Sequence, residues 1–412
     1  MLLSGRRGGV IAGHPVLNAN SRNMAAALAD AQLLAEFHTS LDTTVLARMT
    51  AGRLHEAFSR RALPQEVHRL TVQHPGVEIA RLVRRALPRL ATPHVFAPDV
   101  TIHAVDRAMS EAVGAGTTAV YAYEDGAALT FQTARRLGLP TVYDLPIGYW
   151  RMADEILQEE AARKPDWAST LAVSRVRNHE ARTARKEEEL ALAQTVIVAS
   201  SFTARSLRYS PRAPSRVEVI PYGSPSLMPA PKQKPDSDRV IRALYVGGLS
   251  QRKGLSYMFD AVGFFRGSVL LTVVGMRNDR CLALDRELER SHVTWVPSLP
   301  HDKILDLMAS HDVLLFPSLF EGFGLVLLEA MSQGTPIIAT PHTAAPDLIT
   351  DGVEGWIVPI RSSASIAERL QQLLDAPGLS GQMGAAAAKT ARGHTWSTYR
   401  SRTAALVAEV TT

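Results

Sequence analysis

The chain has 412 residues, 46% of them hydrophobic, and a formal net charge of +5, with a pI near 9.4. That length is too great for one core and natural for two domains, and the basic balance favours acidic partners. One cysteine, Cys281, excludes an intramolecular disulfide and a cysteine zinc cluster, and no apolar run is long enough to span a bilayer.

The first residues, Met1-Leu-Leu-Ser-Gly-Arg-Arg, lack the apolar core of a signal peptide, so the expected location is the cytoplasm. Gly9 to Gly13 reads as a first strand running into His14-Pro15. The loop carrying Asn18, Asn20 and Arg22 precedes an alanine-rich helix, with Asn20 or Ser21 as the expected N-cap. From Arg48 to Arg89 nine arginines stand against three glutamates, with leucines and valines interleaved. Such a segment is either a solvated helix face or a surface that meets anionic lipid at the inner face of the membrane. Nucleic acid is disfavoured, because the aromatics needed for stacking are missing there.

Thr117 to Glu124 reads as a buried strand, followed by a helix from about Ala127 to Leu137 and a second strand from Thr141 to Asp144. Alternation of this kind argues a parallel α/β sheet, in which functional groups collect beyond the carboxyl ends of the strands. Tyr123, Glu124, Asp125 and Asp144 all fall at such ends. The two adjacent carboxylates, Glu124 and Asp125, either orient ligand hydroxyls or cap the next helix. Asp154 to Leu192 reads as charged helix on exposed faces, without chemistry. Thr195 to Ser201 and Val217 to Gly223 read as the last strands of a first domain covering residues 1–223. The proline-rich polar stretch 224–238 is the expected linker.

The second domain, residues 239–393, opens with a strand from Arg242, a turn at Gly247-Gly248, and a helix start preceded by Arg252-Lys253-Gly254. A glycine turn between strand and helix, with two cations, is a pocket for an anion. Leu270 to Gly275 is a further strand with its exit at Met276, and Val293 to Ser298 another, leading to His301. His311 and His342 are isolated and no metal-ligand spacing occurs. Asp312 to Phe316 is a buried strand, and Phe323 to Ser332 has helical periodicity, closed by Gly334 and Pro336. Glu321 and Glu329 bracket that helix start about two turns apart, so that both border one cleft. Gly322 and Gly324 leave the backbone bare for an anion. Gly355 to Pro359 is the last strand, and residues 394–412 hold a final helix from Trp396 to Val410.

The phrase Glu321-Gly-Phe-Gly-Leu-Val-Leu-Leu-Glu329, continued through Gly334-Thr-Pro-Ile-Ile, Ala339-Thr340 and Asp351-Gly352, resembles the Glu-x7-Glu block of retaining family 4 glycosyltransferases. The resemblance implies the GT-B fold: two Rossmann-like α/β domains facing each other across a cleft, with the last helix returning to the first domain. It implies a catalytic set of Glu321 on the sugar, Lys253 and Arg252 on the diphosphate, and Glu124. Lys253 matches the family's lysine, whereas Gly248 stands where the family has an arginine, a charge that Arg252 would supply. Glu329 would hold the ribose. Gly247, Gly248, Gly275, Met276, Gly322, Phe323, Gly324 and Leu325 would line the donor site, with Val296, Pro297 and Leu299 at the nucleobase. His14, Asn18, Asn20, Tyr123, Asp125 and Asp144 would face the acceptor or the phosphates. Two features depart from the family pattern: a Gly-Gly pair is missing from the first loop, and Tyr123 takes the place of a histidine.

The implied activity is retaining transfer of a hexose-type sugar from a UDP- or GDP-linked donor to a hydroxyl of a glycan, lipid-linked or small-molecule acceptor. It needs no metal and no cofactor beyond the nucleotide-sugar co-substrate. The alternative is a non-catalytic nucleotide-sugar-binding or scaffold protein of the same fold. A nicotinamide oxidoreductase is disfavoured, because the first turn lacks Gly-x-Gly-x-x-Gly.

Overall fold

The computed structural model describes residues 8–50, 58, 62–76, 98–171, 179–225, 240–265, 267–277 and 280–412. Seven of the arginines between 48 and 89, and most of the stretch 224–238, lie outside these residues.

Thirteen strands are described: β1 (Gly9–Gly13), β2 (Leu34–Thr39), β3 (Thr71–Gln73), β4 (Thr117–Tyr123), β5 (Thr141–Leu145), β6 (Thr195–Val198), β7 (Arg216–Val219), β8 (Ile241–Val246), β9 (Val269–Val274), β10 (Val293–Val296), β11 (Val313–Phe316), β12 (Ile337–Ala339) and β13 (Gly355–Ile357). They form two sheets, in the orders β3-β2-β1-β4-β5-β6-β7 and β10-β9-β8-β11-β12-β13, and every pairing is parallel. This is the α/β architecture of the GT-B fold.

Parallel strands need helical crossovers, which cover both faces and make each strand a near-continuous apolar run. All five residues of β1 are buried. Val10, Ala12 and Tyr121 pack with Met24 and Leu28 of the helix Ala19–Asp30, while Ile11, Val120 and Ala122 pack with Met109 and Phe131 on the other face. In the second sheet Leu314 and Phe316 meet Leu327 and Met331, and Tyr245 and Leu315 meet Leu255 and Phe259. The last helix, Trp396–Thr411, returns to the first sheet, where Arg400 donates to Asn23 Oδ1 at 2.8 Å. Thr395 bridges Ser224 at its start.

Each sheet reverses its strand order once, between β1 and β4 in the first and between β8 and β11 in the second. Such switch points open a crevice at the carboxyl ends of the strands, because successive crossovers leave on opposite faces there.

Three expectations change. The first helix starts at Ala19, and its cap is Asn18 rather than Asn20 or Ser21. Asn18 Oδ1 accepts from Ser21 N at 2.9 Å while Ser21 Oγ accepts from Asn18 N at 3.1 Å. The helix after β11 begins at Leu325 rather than Phe323, since Phe323 is pulled into the core against Tyr222, ring centroids 5.1 Å apart. The charged stretch 154–192 is not simply an exposed surface: Glu160 and Glu189 are both fully buried. Met152, Ile156 and Trp167 pack into the core of the second sheet. Among the described residues no helix is long and apolar enough to cross a membrane.

Candidate functional site

At the second switch point, β8 ends in Gly247-Gly248 and the chain tightens into a single 3-10 turn, Gln251–Lys253. Ser250 caps it by accepting from Arg252 N at 3.3 Å. Gly254 follows with φ +71°, and a Cβ there would lie 2.0 Å from the carbonyl oxygen of Pro317. Only glycine supplies that conformation in that space. It lets the β8 turn lie against the β11 exit, where Leu319 N donates to Arg252 O at 2.8 Å.

This close approach brings three charges together. Lys253 Nζ forms an ion pair with Glu321 Oε2 and lies 5.0 Å from the Phe316 ring centroid. Arg252 Nη1 donates to Phe320 O at 2.6 Å and stands 3.5 Å from Glu321 Oε2. Burial and the neighbouring guanidinium pull the Lys253 ammonium well below the usual lysine value. Burial likewise lowers Arg252. One carboxylate thus faces two partly desolvated cations, and the excess positive charge favours an anion.

The helix Leu325–Ser332 begins at Gly324, φ +85°, with no side chain capping it; Leu327 N donates to Gly324 O at 2.9 Å, and the amides of Leu325 and Val326 are left for another acceptor. Gly322 is not part of that opening. Its carbonyl accepts from Ser200 Oγ and from Thr203 Oγ1, and a Cβ on it would meet Pro146 O at 1.9 Å. Gly322 and Phe323 therefore lock the loop to the first half of the chain.

Glu329 lines a cleft of about 800 Å³ between the two halves, opposite Asn18 and Arg22, with His301, Trp396 and Arg400 on its walls. His301 Nε2 stands 2.9 Å from Glu329 Oε1. Glu321, held by Lys253, is not among those walls. The two glutamates thus have different partners: Glu321 pairs with Lys253 and Arg252, and Glu329 with His301. Sequence reasoning passed over His301, Trp396 and Arg400 as site residues. His301, the first residue of the helix after β10, was the one legible from its position.

Along β9 and β10, Gly275 sits so close to Gly247 that a Cβ would fall 1.8 Å from its carbonyl oxygen. Trp295 Nε1 donates to Gly275 O at 3.0 Å. Met276, Pro297 and Gly248 are exposed, while Val296, Leu299 and Leu325 are half-buried.

At the first switch point His14 meets Tyr123 edge-on, ring centroids 4.5 Å apart. Burial pushes the His14 imidazole down to about 4, so it is neutral at pH 7. Tyr121 OH donates to Asp144 Oδ2 at 2.7 Å. Burial, opposed by the hydrogen bond from Tyr121, raises Asp144 to about 7. Asn20 lies near Tyr222 in the same cluster. Glu124 and Asp125 are placed elsewhere: successive side chains alternate across a strand, so Glu124 stands on the side opposite Tyr123. There it pairs with Lys186 at 2.7 Å, and Asp125 with Arg182 at 3.1 Å. Neither carboxylate caps the helix Ala128–Arg136. Glu189 does so, accepting from Ala127 N and Ala128 N, together with Asp106, which accepts from Leu129 N and Thr130 N.

Residues 229–390, which contain the whole of the second sheet, match the family described as glycosyl transferases group 1. In these residues the chain is similar to that family. The D-inositol 3-phosphate glycosyltransferase of Streptomyces griseus is 31% identical over 160 residues, 37% of this chain and 34% of that protein. A protein of the same description from Arthrobacter sp. is 39% identical over 117 residues, 28% of this chain and 27% of that one. The chain thus spans about a third of the length of these curated relatives. In three dimensions the likeness covers both halves. Sucrose-phosphate synthase from Thermosynechococcus elongatus superposes with a TM-score of 0.65 at 17% identity, over 98% of this chain and 99% of that one. Anabaena HepE, solved with UDP and glucose, superposes with a TM-score of 0.62 at 15% identity, over 98% and 100%. At those identities the likeness establishes the GT-B fold.

Proposed function

We propose that this protein is a glycosyltransferase that moves a hexose from a UDP- or GDP-linked sugar to an acceptor hydroxyl with retention of configuration. The observation that carries the reading is the cluster Lys253, Arg252 and Glu321, held where the second sheet reverses its order. Lys253, Arg252 and the amides beyond Gly324 stabilise the charge that builds on the departing diphosphate, an electrostatic task worth several kcal/mol in a desolvated site. Glu321, displaced from Lys253 by that diphosphate, accepts from the sugar hydroxyls. Glu329 in the cleft takes the two ribose hydroxyls, one on each carboxylate oxygen. The bond from the anomeric carbon to the diphosphate breaks and the acceptor oxygen bonds to the same face. The acceptor's proton passes to the leaving phosphate oxygen. With two cations on the diphosphate, the reaction runs without a divalent metal.

The acceptor is a hydroxyl of a glycan, a lipid-linked or a small molecule. The basic stretch Arg48–Arg89 supports a meeting with it at an anionic membrane surface. Incubation with a panel of UDP- and GDP-sugars, read by release of nucleoside diphosphate and by the anomeric proton coupling of the product, tests the reading. Release with an inverted product would remove the retaining assignment. Binding without release under every acceptor supplied would favour a nucleotide-sugar-binding protein.

A further inference from the structure

We infer that Glu160 is a positioning residue for the cationic turn, acting through Gln251. The inference rests on the reading of Lys253 and Arg252 as the diphosphate clamp. Glu160 belongs to the helix Trp150–Arg163, in the first half of the chain, and is fully buried. Every side chain it engages comes from the second half. Its carboxylate accepts from Gln251 Nε2 at 2.8 Å, Tyr257 OH at 3.0 Å and Arg361 Nε at 2.8 Å. Gln251 immediately precedes the two cations and is itself fully buried. Its amide is held from the other side as well, with Oε1 accepting from Ser256 N at 3.0 Å and Nε2 donating to Ser256 Oγ at 2.7 Å.

The backbone of the turn is gripped by the same segment of the first half. Gln251 N donates to Thr170 Oγ1 at 2.9 Å, and Ser250 Oγ donates to Thr170 O at 2.7 Å. Arg361 completes the clasp from outside, donating to Glu159 Oε2 at 2.7 Å and to Ile156 O at 3.0 Å. It does so with a φ of +62°, a conformation that a non-glycine residue holds only where its surroundings over-determine it. A buried carboxylate saturated by three donors fixes Gln251, and Gln251 fixes where Arg252 and Lys253 stand. The cations are therefore set by docking of the helix Trp150–Arg163 on the second sheet, and not by the β8 turn alone. A shift of the supporting group by a fraction of an ångström is enough to spoil a charged site.

The test is calorimetric titration of the full chain with UDP, uridine, GDP and guanosine, with thermal midpoints recorded alongside. Wild type binds one nucleoside diphosphate more tightly than its nucleoside. Glu160→Gln is expected to weaken that diphosphate about tenfold or more while the nucleoside affinity stays unchanged. Gln251→Met is expected to do the same, and it provides the measurement should Glu160→Gln fail to fold. Equal weakening of diphosphate and nucleoside, or an unchanged diphosphate affinity, would show a purely structural role and overturn the inference. Failure of wild type to bind any diphosphate would instead bring down the clamp itself, and this inference with it.

Discussion

Two lysine–glutamate pairs in this molecule are buried almost equally and behave in opposite ways. The side chains of Lys253 and Glu321 are 13% and 14% exposed, and those of Lys186 and Glu124 are 13% and 7% exposed. Burial pulls both ammonium groups down. At Lys253 the neighbouring guanidinium of Arg252 adds to the fall, whereas at Lys186 the carboxylates of Glu124 and Asp125 outweigh burial and raise it. The first pair therefore has cation to spare and the second has none. Around Lys186 the remaining charges are also spoken for: Arg185 pairs with Asp106 and Glu189, and Glu189 caps the helix after β4. Burial alone does not separate the two pairs; the balance of charge around each does.

The largest expected effect falls on the first pair. Glu321→Ala should lower transfer by about a thousandfold while leaving the affinity for nucleoside diphosphate within about threefold of wild type, since a group that acts on the sugar is lost and the clamp is kept. Near-normal turnover would detach Glu321 from the sugar. Lys186→Met breaks the second pair and leaves Glu124 buried without its ammonium, at a cost of about 3 kcal/mol in urea unfolding. Transfer per folded molecule should be unaffected. A rate loss beyond the unfolded fraction would bring the β4 carboxylates into the site and erase the contrast.

Lys253→Ala should weaken nucleoside diphosphate binding by about 2 kcal/mol, roughly thirtyfold in Kd. An unchanged constant in calorimetry would leave the clamp to Arg252 and the helix amides. The smallest effect is on pH. Asp144, raised by burial to about 7 from 3.8, keeps its proton longer in the folded chain than in the unfolded one. Its contribution to stability is complete below the unfolded value and is lost as pH rises through about 7. Asp144→Asn should flatten that decline and raise the thermal midpoint at pH 8 by a few degrees, on the order of 2–4 °C. His14, lowered to about 4 from 6.5, works in the other direction, losing stability as pH falls below 6.5. The difference between variant and wild type therefore isolates Asp144, and no change in slope would mean that its carboxyl is not held protonated.

Much of this was legible in one dimension. Strands β1, β4, β5, β8 to β11 and β13 read as short apolar runs, because a strand covered on both faces must be apolar throughout. The block from Phe316 to Pro336 marks its own strand, turn and helix, and Lys253 and Arg252 announce an anion by standing at a strand-to-helix turn. Strands β2 and β3 were not singled out: Leu34–Thr39 carries Glu36 and His38, and β3 is only three residues long. What the sequence by itself determined was the two-sheet α/β plan and the chemistry available at its strand ends, since both follow from local periodicity and residue type. Only the tertiary structure decided which charges stay unpaired. It put Lys253 beside Arg252 and a single carboxylate, closed Glu124 and Asp125 into ion pairs, spent Gly322 on packing, and buried Glu160 under the cationic turn. Those outcomes depend on contacts between residues 57 to 201 positions apart, which no local pattern encodes.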